Sequence, residues 1–149
     1  MYVKIKKFSN DVITPHKAHI EDGCFDIHAF CKVDNDDVVF SIPPHETVKI
    51  STGFATEIPN SYCALVFPRS GLSTKQSLAL INAVAVIDAN YRGEWMIPIH
   101  NYSNEYQYIR SGDRIAQFMV VPVLDTQLVE VNELSDTNRG DGGFGSSGK

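Results

Sequence analysis

The sequence predicts an all-β fold, a jelly-roll-like barrel or sandwich with one short helix and a flexible, glycine-rich C-terminal tail. Three observations lead there. Helical periodicity is scarce, and short runs rich in Val, Ile, Phe and Tyr recur instead, at 48–52, 62–67, 78–87, 95–100, 115–123 and 128–131. Turn residues such as Pro43 and Pro44, Pro59 to Ser61, Asn90, Arg92 and Gly93, and Ser111 to Asp113 punctuate these runs. Many short strands at this spacing are the pattern of sandwiches and barrels. Finally, 149 residues with 43% hydrophobic and 21% charged side chains make one domain with a sizeable core.

The expected helix follows Pro68 and Arg69, where Ser70 is placed to cap a segment running through Gln76. The domain is expected to span 1–134. Residues 135–149 differ in composition and hold five of the chain's ten glycines, so without a partner this tail should be mobile. Arg139 and Phe144 among those glycines suggest more than a linker, since a linker rarely carries a large aromatic. A tail that orders over a ligand is the sharper expectation.

A formal net charge of −5 argues against a nucleic-acid polymer as ligand, because a basic face supplies most of that affinity. A small phosphorylated ligand needs only two or three well-placed arginines. Cys24, Cys31 and Cys63 form no CxxC pair, and an odd count at these spacings gives neither a disulfide framework nor a zinc site. No apolar stretch follows the lysines of the N-terminus, and the run from Leu78 to Ile87 is too short to span a bilayer. A cytoplasmic protein without membrane association is expected, in the host cytoplasm if the source is viral.

Two apparent nucleotide motifs in the tail carry no weight. Gly140 to Gly145 fits GxGxxG, but no strand–helix unit fits around it so close to the C-terminus, and Gly148-Lys149 lacks the Ser or Thr of a P-loop. His16 and His19 lack a third metal ligand nearby. Pro68 to Ser73 places an arginine and a serine where a strand meets a helix start, a position that favours anions, though alone it reads more readily as a plain cap. Ala85 to Trp95 reads as a hairpin turning around Asp88 to Gly93, with an aspartate directly after an apolar strand and Tyr91 and Arg92 crowding the turn. Asp26 is weak on its own, and Asp113 with Arg114 reads as an ordinary turn ion pair.

Taken in order, five segments resemble the trimeric deoxyuridine triphosphatase (dUTPase) family: Gly23 to Ala29, Pro68 to Thr74, Ala83 to Glu94, Gly112 to Gln117 and Arg139 to Gly148. They span nearly the whole chain. The resemblance implies Mg²⁺-dependent hydrolysis of dUTP to dUMP and pyrophosphate by water attack on the α-phosphorus, in a homotrimer with shared sites. It makes Asp88 the general base and Tyr91 the ring that stacks on deoxyribose and excludes a 2′-hydroxyl. Asn82 and the backbone from Ala83 to Ala85 would read uracil, with Met96 as a further substrate contact. Arg69, Ser70, Gly71 and Gln117 would hold phosphates, and Asp26 would organise the hydrated Mg²⁺ from its outer shell while triphosphate and water hold the ion itself. From another subunit Phe144 and Gly145 would cover the base, and Arg139, Ser146 and Ser147 would close over the terminal phosphates.

The chemistry agrees, since such an attack needs a carboxylate base, charge neutralisation and an aligned triphosphate. The chain departs from the family pattern at Cys24, Phe25, Ala85, Asn90 and Ser147, none of which removes a group the reaction needs. The related deoxycytidine triphosphate deaminases carry a glutamate in the third segment, where this chain has Asp88, and commonly a second serine where it has Gly71. A binding protein that kept the fold without turnover would have no need of Asp88, Tyr91 and Phe144 together. An added regulatory protein partner is compatible with all of this.

Overall fold

In the segment Met96–Asn101, Ile97, Ile99 and Asn101 are buried while Met96, Pro98 and His100 between them are not. That two-residue alternation sends successive side chains to opposite faces of a pleated strand. It recurs along the chain and accounts for its folding into sheets. The computed structural model describes residues 1–33, 36–37 and 39–143. Its first strands are β1 (Lys4–Lys7), β2 (Phe25–His28), β3 (Lys32–Val33), β4 (Asp36–Asp37), β5 (Val39–Ile42), β6 (Thr47–Ser51), β7 (Phe54–Glu57) and β8 (Tyr62–Pro68). The helix α1 (Ser70–Gln76) follows, then β9 (Leu78–Leu80), β10 (Ala85–Ile87), β11 (Met96–Asn101), β12 (Gln107–Arg110) and β13 (Arg114–Pro122).

All strand pairs are antiparallel. A four-stranded sheet runs β10-β8-β13-β2, a three-stranded sheet runs β6-β11-β9, and β1 with β7, β5 with β12 and β3 with β4 form two-stranded ribbons. The expected all-β class with one short helix is what the structure has, although no sheet closes into a barrel among the described residues. Ile27, Ile50, Val66, Leu78, Ile97, Ile99 and Ile115 fill the core, each burial contributing roughly 1.5–3 kcal/mol before the entropy of ordering is charged against it. Trp95 lies at the centre, with ring centroids 5.3 Å from Phe54 and 5.0 Å from Phe118. Buried Asn101 spreads its amide N–H groups over the carbonyls of Ile42, Pro43 and Glu105 and accepts from Ser103, pinning β11 to the end of β5.

Four local expectations are corrected. The run 78–87 is two strands: Ala83 adopts a left-handed φ of 57°, the chain turns over 81–84, and β9 and β10 join different sheets. The segment 85–95 is therefore no paired hairpin, but a loop carrying the chain from β10 in one sheet to β11 in another. No strand forms at 128–131, where Leu128 is 97% exposed and pairs with no strand among the described residues. Ser70 is the first helical residue rather than the cap; extended Arg69 precedes the helix, and no side chain caps it. The last strand ends at Pro122, and residues 124–140 are exposed. No helix among the described residues is long and apolar enough to cross a membrane.

Candidate active site

Sheet register assembles the first part of the site. Gln117 on β13 faces Asp26 on β2 and Phe67 on β8, so Arg69, just beyond the end of β8, arrives beside both. Arg69 Nε lies 2.8 Å from Asp26 Oδ1, and Arg114 Nη1 donates to Asp26 Oδ2 at 3.2 Å. The Gln117 amide N–H donates to the Pro68 carbonyl at 3.1 Å, which leaves its own carbonyl uncommitted to that bond. Two guanidinium groups against one buried carboxylate leave positive charge in excess, as an anion site requires. Asp22, Cys24, Asp26, Arg69, Arg114 and Gln117 line a cavity of about 320 Å³ there. A second hollow on the far side of the two arginines is bounded by Gly71, Lys75 and Asp113.

The pairing expected between Asp113 and Arg114 does not form. Asp113 instead accepts the Arg110 N–H at 2.8 Å and closes its own turn, while Arg114 reaches Asp26. Residues 114 and 117 would face opposite sides of a regular strand. A β-bulge between Arg114 and Ala116 inserts one extra residue against β2 and brings Arg114 round to the Gln117 side. Nothing in the local sequence marks that bulge.

His28 lies behind Asp26 and is only 8% exposed. Its ring stacks on His16 at 5.3 Å, and its Nδ1 is buried without a hydrogen-bond partner among the described residues. Burial pushes the imidazole below its ordinary range, and nearby His16, Arg114 and Arg69 add to that while Asp26 opposes it. Near neutral pH the ring is therefore uncharged and does not repel the nearby arginines.

The second part of the site is the loop between β10 and β11. Asp88, directly after β10, is exposed, and its carbonyl accepts the Tyr91 N–H at 3.1 Å. Arg92 folds back onto the carbonyls of Ala89 and Tyr91. The Tyr91 hydroxyl donates to the Glu94 carbonyl at 3.0 Å, and its ring lies so close to Gly93 that a Cβ there would run into the phenol. Asp88, Tyr91, Ile87, Trp95 and Met96 border a hollow of about 180 Å³. Asn82 and Ala83 are exposed in the preceding turn, where the N–H groups of Ala83 and Val84 are already taken by Leu80 and Asn82 carbonyls.

One chain does not join the two parts. Ile87 pairs with Ala64 near the start of β8, whereas Arg69 follows Pro68 at its end. From Ala64, which Ile87 faces, to Arg69 is five residues of extended chain, roughly 17 Å. The hollow holding Asp88 contains none of Asp26, Arg69 and Gln117, and theirs does not contain Asp88. Ser70 and Gly71 are exposed at the start of α1, on the Arg69 side. Exposed Arg139 donates to the Gly142 carbonyl at 2.8 Å in a local turn of the tail. Phe144, Gly145, Ser146 and Ser147 lie outside the described residues.

A family model described as dUTPase matches residues 10–148. The deoxyuridine 5′-triphosphate nucleotidohydrolase of Nautilia profundicola is 42% identical over 149 residues, covering 100% of both chains. Among solved structures, the Staphylococcus bacteriophage 80alpha dUTPase with dUPNHPP superposes with a TM-score of 0.81 at 30% identity, over 99% of each chain. A mutant dUTPase from phage phi11 of S. aureus, described as revealing the coordination of a structural Mg(II) ion, gives 0.74 at 26% identity over 89% of this chain and 98% of that one. These neighbours are all-β jelly rolls, and the chain shares their fold.

Proposed function

The chain belongs to the dUTPase family, and from that premise we infer that it hydrolyses dUTP to dUMP and pyrophosphate at sites shared between the subunits of a homotrimer. The observation that carries the shared-site reading is the separation of Asp88 from Arg69, Asp26 and Gln117 along β8. A general base must lie within hydrogen-bond reach of the attacking water, and phosphate ligands must touch the same triphosphate. A strand's length between them within one chain is too far, whereas a neighbouring subunit can supply the missing half.

In this reading Asp88 takes the proton of a water that attacks the α-phosphorus, and the bond to the β-phosphate oxygen breaks to release pyrophosphate. Tyr91 packs against the deoxyribose, and Met96 helps border that hollow. Asn82 and the backbone of Ala83 to Ala85 read uracil. Because the N–H groups of Ala83 and Val84 are spent within the turn, the Asn82 side chain and the turn's carbonyls are left for most of that recognition. From another subunit, Arg69, Ser70, Gly71 and Gln117 hold the phosphates. Residues 135–149 form an arm that closes over the site, with Arg139, Ser146 and Ser147 on the phosphates and Phe144 and Gly145 over the base. Arg139 stabilises charge that develops on the leaving group.

Among the described residues no three His, Cys, Asp or Glu side chains gather as metal ligands. That suits Mg²⁺ carried by the triphosphate and water, which needs no protein cage. Asp26, with each oxygen held by one arginine, keeps lone pairs for a water of that ion. When bound, the ion neutralises triphosphate charge and aids its alignment.

A substrate panel tests the reading: pyrophosphate release and product identity with dUTP, dCTP, UTP and dTTP, each with and without Mg²⁺. Release of pyrophosphate and dUMP from dUTP, selectively and dependent on Mg²⁺, is expected. Ammonia release from dCTP would point to deamination and overturn it.

A further inference from the structure

Glu94 is where the Asp88–Tyr91 loop is fastened to the body of the protein. Its carboxylate oxygen Oε1 accepts the Ser51 hydroxyl proton and the Gly53 N–H, the latter at 2.7 Å. The next residue is docked on the same segment. The Thr52 hydroxyl donates to the Trp95 carbonyl at 2.7 Å, and the Trp95 N–H donates to the Phe54 carbonyl at 3.0 Å. Among the described residues no lysine or arginine pairs with Glu94, so its role toward Ser51 and Gly53 is that of an acceptor.

The anchor is stiff. Gly53 has a left-handed φ of 72°, and a Cβ on it would run into Val12 and Phe30. The carbonyls of Ser51 and Gly53 accept the N–H groups of Phe30 and Phe8, both at 2.8 Å. The link then passes to Tyr91, whose hydroxyl bonds the Glu94 carbonyl and whose ring rests on Gly93. Tyr91 is 43% exposed, so this short chain of contacts has much of the work of fixing its ring.

We propose that Glu94 is a positioning residue for sugar discrimination: clipped to Ser51 and Gly53, it holds Tyr91 at the distance that admits 2′-deoxyribose and rejects ribose. This rests on the reading above that Tyr91 packs against the sugar. A ring that rejects one added hydroxyl by contact must not retreat. Without its clip the loop from Asp88 to Glu94 gains room, and a ribose 2′-oxygen fits. Steric rejection of a single hydroxyl is worth ~10²-fold at most in an apolar site, so that selectivity is what the clip has to protect.

The test is the ratio of kcat/KM for dUTP to that for UTP in the full-length protein, with thermal stability measured alongside. In Glu94→Ala the ratio should fall about tenfold, chiefly because UTP turnover rises relative to dUTP turnover. Glu94→Gln, which keeps an oxygen acceptor, should stay close to wild type. Ser51→Ala removes one of the two donors and should lower the ratio in the same direction, and it carries the test if Glu94→Ala does not fold. A merely structural Glu94 would lower both substrates' turnover, or the melting temperature, with the ratio unchanged. That result, or a Gln variant as unselective as the Ala variant, overturns the proposal. Wild-type protein that does not turn over dUTP would instead overturn the reading beneath it.

Discussion

Asp88 and Arg69 lie near opposite ends of β8. Asp88 leaves β10 where that strand lies beside the beginning of β8, and Arg69 leaves β8 at Pro68 on the way into α1. Each has its own hollow, one bordered by Tyr91, Trp95 and Met96, the other by Asp26, Arg114 and Gln117. In the proposed reading, these are the phosphate-binding half and the base-and-sugar half of the site, kept apart within one chain.

Among the described residues, the exposed Asp88 is the only carboxylate bordering its hollow apart from Glu94, whose Oε1 is committed to Ser51 and Gly53. Asp88→Asn should therefore fold as the parent does, since no core contact is lost. Turnover of dUTP should drop by at least the ~10²–10⁴-fold typical of general base catalysis. Steady-state rates with a melting curve as control check this, and near-parental turnover would remove Asp88 from the reaction.

Deleting residues 139–149 removes no buried residue among those described. The shortened chain should keep its melting temperature and assembly while losing efficient turnover. Finer variants should divide the loss. Phe144→Ala should weaken substrate closure, since stacking on a base is worth ~1–3 kcal/mol. Arg139→Ala should slow the chemical step, where leaving-group charge is greatest. Single-turnover kinetics separate the two effects.

His28 gives a pH dependence of stability with a definite sign. Burial lowers its pKa in the folded state below the ordinary 6.5, with His16, Arg114 and Arg69 contributing and Asp26 opposing. Below that value the unfolded chain takes up a proton that the folded chain resists. Its contribution is complete above pH 6.5 and is lost as the pH falls toward the lowered folded value. Melting temperature should decline on acidification through this window, and His28→Gln should flatten that part of the curve. An unchanged curve would show that His28 is not the titrating group.

Much of this was legible beforehand. The strands with long apolar runs, β8, β11 and β13, fell close to their expected positions because a half-buried strand writes its pattern in the sequence. β1, with the sequence Lys-Ile-Lys-Lys and every side chain exposed, carries no such pattern, since its backbone pairing with β7 alone makes it a strand. Leu128, Val129 and Val131 show the reverse: strand-like composition with no partner strand among the described residues. Asp88, Tyr91 and Arg69 stand out as candidates only when their segments are taken together and in order, since the Arg69 segment alone reads as a plain cap and a turn aspartate usually satisfies its own backbone. Arg114 and Glu94 do not stand out even then. One depends on a bulge in β13, and the other on a hydrogen bond across 41 residues to the Gly53 backbone.

The division of the site between subunits is tested most directly by mixing two inactive variants. Asp88→Asn subunits keep the phosphate-binding half, and Arg69→Gln subunits keep the loop with the base. Each homotrimer should be nearly inactive towards dUTP alone. After unfolding and refolding together, with mixed trimers verified by native mass spectrometry, turnover should reappear, because some sites then combine an intact Asp88 from one chain with an intact Arg69 from another. Verified mixed trimers that recover no activity would contradict the shared site.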